Sequence, residues 1–349
     1  MTNEDIIAQI QQAEAYFKKT TDPYPAYVKK TPQVQASTNW GKGFKSLDDL
    51  IANLTPPPVV DTPGFHWGAI EPGVTVDTSH PYSEFAVYTT LAQGAYFMAD
   101  GAVAYPDPNV ATRTVKLTGE NQADIHDVRI PPGTKFGKSF DCPVTIVDKK
   151  LGIETDLGNC VYDSSGEITQ AFGGSTFPIG AVLETPPGNA TAARVPKLRG
   201  LVTPDDYANW VLDKPLAVSC AGLGSGPARY PAVGVMTYAQ NPASNITLGY
   251  RLQLDPSLKS SDYFSSSATG IEKFSKYIFE RSQVGGHIIR DIGSTYLIHG
   301  LDTINQDGGL AAWAAQGIVF NVNPSIQNVV RLSGNIPWKY LRVISAPTP

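Results

Sequence analysis

His287 and Asp291 stand four residues apart in the run His-Ile-Ile-Arg-Asp-Ile-Gly. Side chains alternate across a regular strand, so this spacing puts an imidazole and a carboxylate on one face. Such a pair can address one ligand, the imidazole as acid or base and the carboxylate as its partner. Trp67 and Tyr82, in His66-Trp67 and His80-Pro81-Tyr82, are the aromatic counterparts. Flat rings stack on sugar faces while polar neighbours hydrogen-bond hydroxyls, so the four residues together predict a glycan cleft. The plainer role for His287 is to cap the helix that ends at Gly286.

Other chemistry is sparse. Gly222-Leu-Gly224-Ser-Gly226 imitates a nucleotide loop but no Lys-Ser/Thr follows, which leaves a turn between strands. There is no G-x-S-x-G elbow, no HExxH and no EF-hand loop. Cys142, Cys160 and Cys220 are too few for a disulfide framework and too scattered for zinc, so they are expected as buried thiols. No metal and no cofactor is predicted. Asp141, Asp148, Glu154 and Asp156 join Asp291 as candidate carboxylates, but nothing in the sequence sets two of them at the separation a glycosidase needs, about 5 to 10 Å. His299 stands at the far end of the strand expected to pair with that of His287.

The elements that must hold these groups are strands. Glycine at 32 and proline at 28 in 349 residues, with few long helical patterns, predict short strands joined by turns. The fold class is mainly β, a jelly-roll-like sandwich with a few helices. The clearest element is a helix over 271–281, with Thr269 and Glu272 at capping-box spacing and Gly285-Gly286 ending it. His287–Arg290 and Thr295–His299 follow as a hairpin, which gives a helix laid on a hairpin with Phe274, Ile278, Ile288 and Leu297 buried. Thr203-Pro204-Asp205-Asp206 opens a short helix, and Asp163-Ser-Ser-Gly166 turns a hairpin. An amphipathic helix over 3–19 and the triplet Pro56-Pro57-Pro58 divide the chain into an arm, 1–58, and a β-rich body, 59–349.

Net charge is −5 and no Lys/Arg run exceeds two residues, which excludes a nucleic-acid partner. No apolar run is long enough to span a bilayer. The start Met-Thr-Asn-Glu-Asp lacks the pattern of a signal peptide.

Gly249-Tyr-Arg251-Leu-Gln-Leu254, the 271–281 helix and Gly286-His-Ile-Ile-Arg-Asp291-Ile-Gly293-Ser294 follow one another in an order that resembles a set of secreted, jelly-roll-like bacterial proteins of poorly defined function. Val144-Thr-Ile-Val-Asp148 is similar to a V-x-V-x-D strand of that set. The resemblance covers about half the chain and implies fold more than activity. Those proteins carry a signal peptide, and a His-Ala pair where Ser219-Cys220 stand in this chain.

Three functions fit these features. The first is a carbohydrate-recognising β-sandwich on a phage virion or cell surface, joined to a protein partner by the arm. The second is a polysaccharide-cleaving lyase or glycosidase, and the third is a structural capsid or tail protein with no ligand. The location expected is a virion surface, or the exterior by a non-classical route, and otherwise the cytoplasm.

Overall fold

The computed structural model describes residues 95–344, apart from 120–122, 138–142, 180–189, 230–231, 233–234, 237–245, 294–295, 305–308 and 324–326. The arm expected at 1–58, and with it Trp67 and Tyr82, lies outside the described residues. In chain order come strands β1 (Ala95–Ala104), β2 (Thr112–Leu117), β3 (Ile125–Arg129), β4 (Val144–Asp148), β5 (Ile153–Gly158), β6 (Val161–Tyr162), β7 (Ile168–Ala171) and β8 (Gly173–Pro178). Helix α1 (Pro204–Ala208) precedes β9 (Leu216–Cys220), β10 (Gly226–Pro227), β11 (Val235–Met236) and β12 (Arg251–Leu254). Helix α2 (Gly270–Val284) leads into β13 (His287–Ile292) and β14 (Tyr296–Ile304). Helix α3 (Gly309–Ala315), β15 (Asn321–Asn323), β16 (Gln327–Arg331) and β17 (Leu341–Ile344) complete the described chain.

The fold is mainly β with a few helices. One large sheet runs β17-β12-β13-β9-β14-β1-β4-β5-β8, with β16 on β1 and β15 on β16. A smaller sheet runs β3-β2-β7-β6. Val115, Val128 and Ile168 of the small sheet share a core with Ala102, Ile146 and Leu157 of the large one, so the two sheets form a sandwich at that end. At the other end α2 and α3 cover the large sheet. The pairs β1–β14, β1–β4 and β9–β13 are parallel, which an all-antiparallel jelly roll does not contain.

β1 explains the centre. Its sequence, AYFMADGAVA, is apolar on both alternating faces, the pattern of a strand covered on both sides. Phe97 meets Phe274 of α2 at 4.8 Å between ring centroids and Trp313 of α3 at 5.0 Å, both edge-on. Tyr96 and Met98 pack on the other face with Leu297.

Helix α2 ends as expected, with Gly286 at φ 67° where a side chain would be strained. Its start differs, because Thr269 makes no side-chain cap and Gly270 takes φ 52° instead. The short helix α1 keeps the full capping box between Thr203 and Asp206, with proline in its first turn. Arg281, wholly buried in the last turn of α2, joins the two helices. Its Nη1 donates to Asp206 at 3.3 Å and to the Tyr277 hydroxyl at 2.7 Å. Its Nε and Nη2 donate to the carbonyls of Lys214 and Pro215, the residues that lead into β9.

Two expectations need correction. β13 and β14 are both strands but do not form a hairpin, because β9 lies between them. The Leu216–Cys220 run is buried at every position and takes the central place, and the Gly293 N–H that would help close a turn donates to Cys220 O. His287 and His299 therefore do not face each other. The Asp163 turn is present, its Oδ1 accepting the N–H groups of Ser165 and Glu167, but it joins β6 to β7 while β5 pairs with β4 and β8. Among the described residues no helix is long and apolar enough to cross a membrane.

Phe274 is fully buried against Phe97, Tyr207 and Trp313. Phe274→Ala is expected to cost about 3–5 kcal/mol in urea unfolding through the cavity it leaves. A loss under about 1 kcal/mol would show that α2 lies outside the main core.

Candidate active site

His287 opens β13 and is completely buried. The Ser282 hydroxyl donates to Ile278 O at 2.6 Å, so it accepts from His287 Nε2–H at 2.7 Å. His287 Nδ1 then accepts from the Tyr296 hydroxyl at 2.7 Å. Both ring nitrogens are committed, and burial, with Arg281 nearby, pushes the imidazole down to about 3. Asp291 is half-exposed, and its Oδ1 accepts the N–H of Ile292. Between them β13 slips register against β9, from Ile289 to Asp291, so the regular alternation that would align His287 with Asp291 is broken.

A different set of groups meets across β9, β14 and β1. Ser219 Oγ lies 2.5 Å from His299 Nε2, and His299 Nδ1 lies 3.0 Å from Asp100 Oδ1. Each residue comes from a neighbouring strand. Leu216, Val218 and Cys220 point into the helix-covered core, so alternation sends Ser219 to the opposite face. Tyr296 and Ile298 do the same for His299. Asp100 sits where β1 slips register against β14, between Ala99 and Gly101, and Arg290 sits at the slip in β13. Bulges re-aim single side chains, and these two place opposite charges on one hollow.

The set lies at a fork. β9 and β14 share only the pairs Leu297–Ser219 and Ile298–Val218 before they part. The segment 200–202 fills the gap. Ala217 N–H donates to Gly200 O, Val202 N–H to His299 O and Leu301 N–H to Val202 O, each at 2.9 to 3.0 Å. Gly200 has φ 77°, and a Cβ there would stand 2.6 Å from Ala217 N, so only glycine fits.

Beside Asp100 is a hollow lined by Thr145, Lys197, Leu201 and Arg290, with room for about one water molecule. Arg290 Nη1 donates to Lys197 O at 2.6 Å, while its buried Nε has no partner among the described residues. Asp156 accepts from the Thr145 hydroxyl and, at 2.7 Å, from Lys197 N–H. Burial works to raise the Asp100 carboxyl, but the charge and hydrogen bond of His299, with Arg290 and Lys197 beyond, hold it below the usual range. For Asp156 burial prevails over those same cations and its two donors, and the carboxyl is pushed up. Cys220, next to Ser219, points the other way into the core, where burial raises its thiol and leaves it inert.

The tautomer of His299 follows from its partners. Ionised Asp100 can only accept, so Nδ1 carries the proton and donates to it. In the neutral ring Nε2 is then free to accept from the Ser219 hydroxyl. That arrangement polarises the serine oxygen as a nucleophile. Exposures of 4% for Ser219, 5% for His299 and 6% for Asp100 place the relay in a water-poor setting, which strengthens its electrostatics.

Reasoning from sequence spacing passes over Ser219 and Asp100. A signal was present for Asp100, the one charged residue in the apolar strand Ala95–Ala104. Burying such a group requires a partner. Comparison with protein-family models, with curated proteins and with solved structures finds no match.

The buried His287 gives a pH signature. The unfolded chain takes up a proton on this ring below about 6.5, whereas the folded chain does so only near 3. The stability it contributes is complete above about pH 6.5 and is lost progressively as pH falls toward 3. Urea midpoints measured down this range are expected to fall less steeply in His287→Phe than in the unaltered chain, with a difference of up to a few kcal/mol at the acid end. Parallel slopes would mean that the ring is protonated in the fold.

Proposed function

We propose that the chain hydrolyses an acyl bond, an ester or amide, with Ser219 as nucleophile. The observation that carries this reading is the hydrogen-bond chain from Ser219 Oγ through His299 to Asp100. As Ser219 Oγ bonds to the substrate's carbonyl carbon, its proton passes to His299 Nε2 and the carbonyl oxygen takes the negative charge. Asp100 holds the Nδ1–H and stabilises the imidazolium that forms. The tetrahedral intermediate collapses, the carbon–heteroatom bond breaks, and the leaving group takes the proton from Nε2. Water then attacks the acyl-serine, giving its proton to Nε2, and collapse returns a proton to Ser219 as the acid departs.

The contrast between the two buried histidines supports this assignment. Ser282 spends its proton on Ile278 O and cannot be activated by His287. Ser219 has its imidazole as the acceptor and a carboxylate behind that imidazole. Trp67 and Tyr82, on which the expectation of a glycan ligand rests, take no part in this proposal.

A fluorophosphonate probe, followed by peptide mass mapping, is expected to label Ser219, and Ser219→Ala to lose both the label and at least about a thousandfold in ester hydrolysis. Asp100→Asn is expected to leave Ser219 in place but to cost on the order of 10⁴-fold in kcat, because its amide favours the wrong tautomer. Folded protein that takes no label and turns over no ester of a broad panel would sink the reading.

A further inference from the structure

We infer that the acyl group cleaved at Ser219 carries a carboxylate, received by Arg290 and Lys197 in the hollow beside Asp100. This rests on the acyl-hydrolase reading and names its substrate class. Arg290 is 4% exposed, and its Nε–H is buried with no hydrogen-bond partner among the described residues. The bulge in β13 turns this residue toward the hollow. Among the described residues the Lys197 ammonium makes no hydrogen bond or ion pair, although its backbone N–H is spent on Asp156.

Several nearby acceptors are already engaged. Both oxygens of Asp156 are engaged, by Thr145 and by Lys197 N–H, and Asp100 Oδ1 accepts from His299. Among the described residues the Arg290 Nε–H has no partner, and a buried donor is costly until it finds an oxygen. A carboxylate answers both cations, with one oxygen in the water-sized space and the other toward the Lys197 ammonium. Lys197 keeps 9% of its surface exposed, and its flexible stem can move to admit the group. The negative charge of Asp100 is offset by Arg290 and Lys197 around it and by the hydrogen bond from His299. Asp100 lines the hollow and is linked to Ser219 through the single ring of His299, so a carboxylate in the hollow and a carbonyl at Ser219 are close enough to be ends of one small molecule. A half-ester or half-amide of a short dicarboxylic acid has that shape.

The full chain is assayed with p-nitrophenyl hemiglutarate against p-nitrophenyl butyrate. The hemiester is expected to be preferred about tenfold or more in kcat/KM, mainly through KM. Lys197→Met is expected to remove most of that preference and Lys197→Arg to retain it. Free glutarate is expected to inhibit butyrate-ester turnover competitively, far better than acetate does, a readout that needs no variant. Turnover of both esters at equal rates, or a faster butyrate ester, overturns this inference and leaves the acyl-hydrolase reading standing. Absence of turnover together with absence of label at Ser219 overturns both.

Discussion

A ten-residue strand buried on both faces leaves its side chains almost no freedom, and β1 is that strand. One edge is bonded to β14 along its length, and the other is shared between β16 and β4. Its apolar residues enter several separate cores, among them one beneath the helices and one beneath the small sheet. Asp100 is the one charge that this strand carries. A carboxylate so placed has to be neutralised where it stands, which fixes what His299, Arg290 and Lys197 must do around it. The bulge at Asp100 is the local concession that lets a polar group leave an otherwise regular ladder.

The two buried histidines show how partners, not residue type, decide chemical character. His287 sits among Ser282, Tyr296 and Trp338 and works as a cross-brace between the end of α2 and the sheet. Its neighbours are neutral, and the nearest charge, Arg281, opposes protonation. His299 has an ionised carboxylate on one nitrogen and a hydroxyl on the other. The first environment is closed in every direction. The second keeps a lone pair directed at an oxygen that can react.

Local signals were legible in the sequence wherever they depend on neighbours along the chain. The Thr203 cap, the glycines that end α2, the Asp163 turn and the strand at Val144–Asp148 all appear where their residues place them. The expected hairpin of β13 and β14 failed for the complementary reason. Strand pairing depends on which run most needs cover, and Leu216–Cys220, far upstream, outcompeted the adjacent pair. The candidate site was illegible by the same logic. Ser219 and His299 are 80 residues apart and His299 and Asp100 are 199 apart, so no motif spacing joins them. The register slips at Asp100 and Arg290, which aim both charges, are tertiary events with no signature in the sequence.

The wide separation within the β1–β14 pair has a cost in time. A ribosome adds about 5–20 residues per second, so β1 waits about 10–40 s for the partner that covers its main edge, 199 residues downstream at His299. During that interval a long apolar strand stands with unpaired amides, the form most prone to join the wrong chain. β4 and β16 do not relieve it at once, since β4 pairs with only two residues of β1 and β16 emerges later than β14. Contacts of such range also slow the search for the native pairing. Completion of the Ser219–His299–Asp100 relay is thus a late event in the maturation of the chain, and a bystander that shields β1 during synthesis would raise the yield of folded protein.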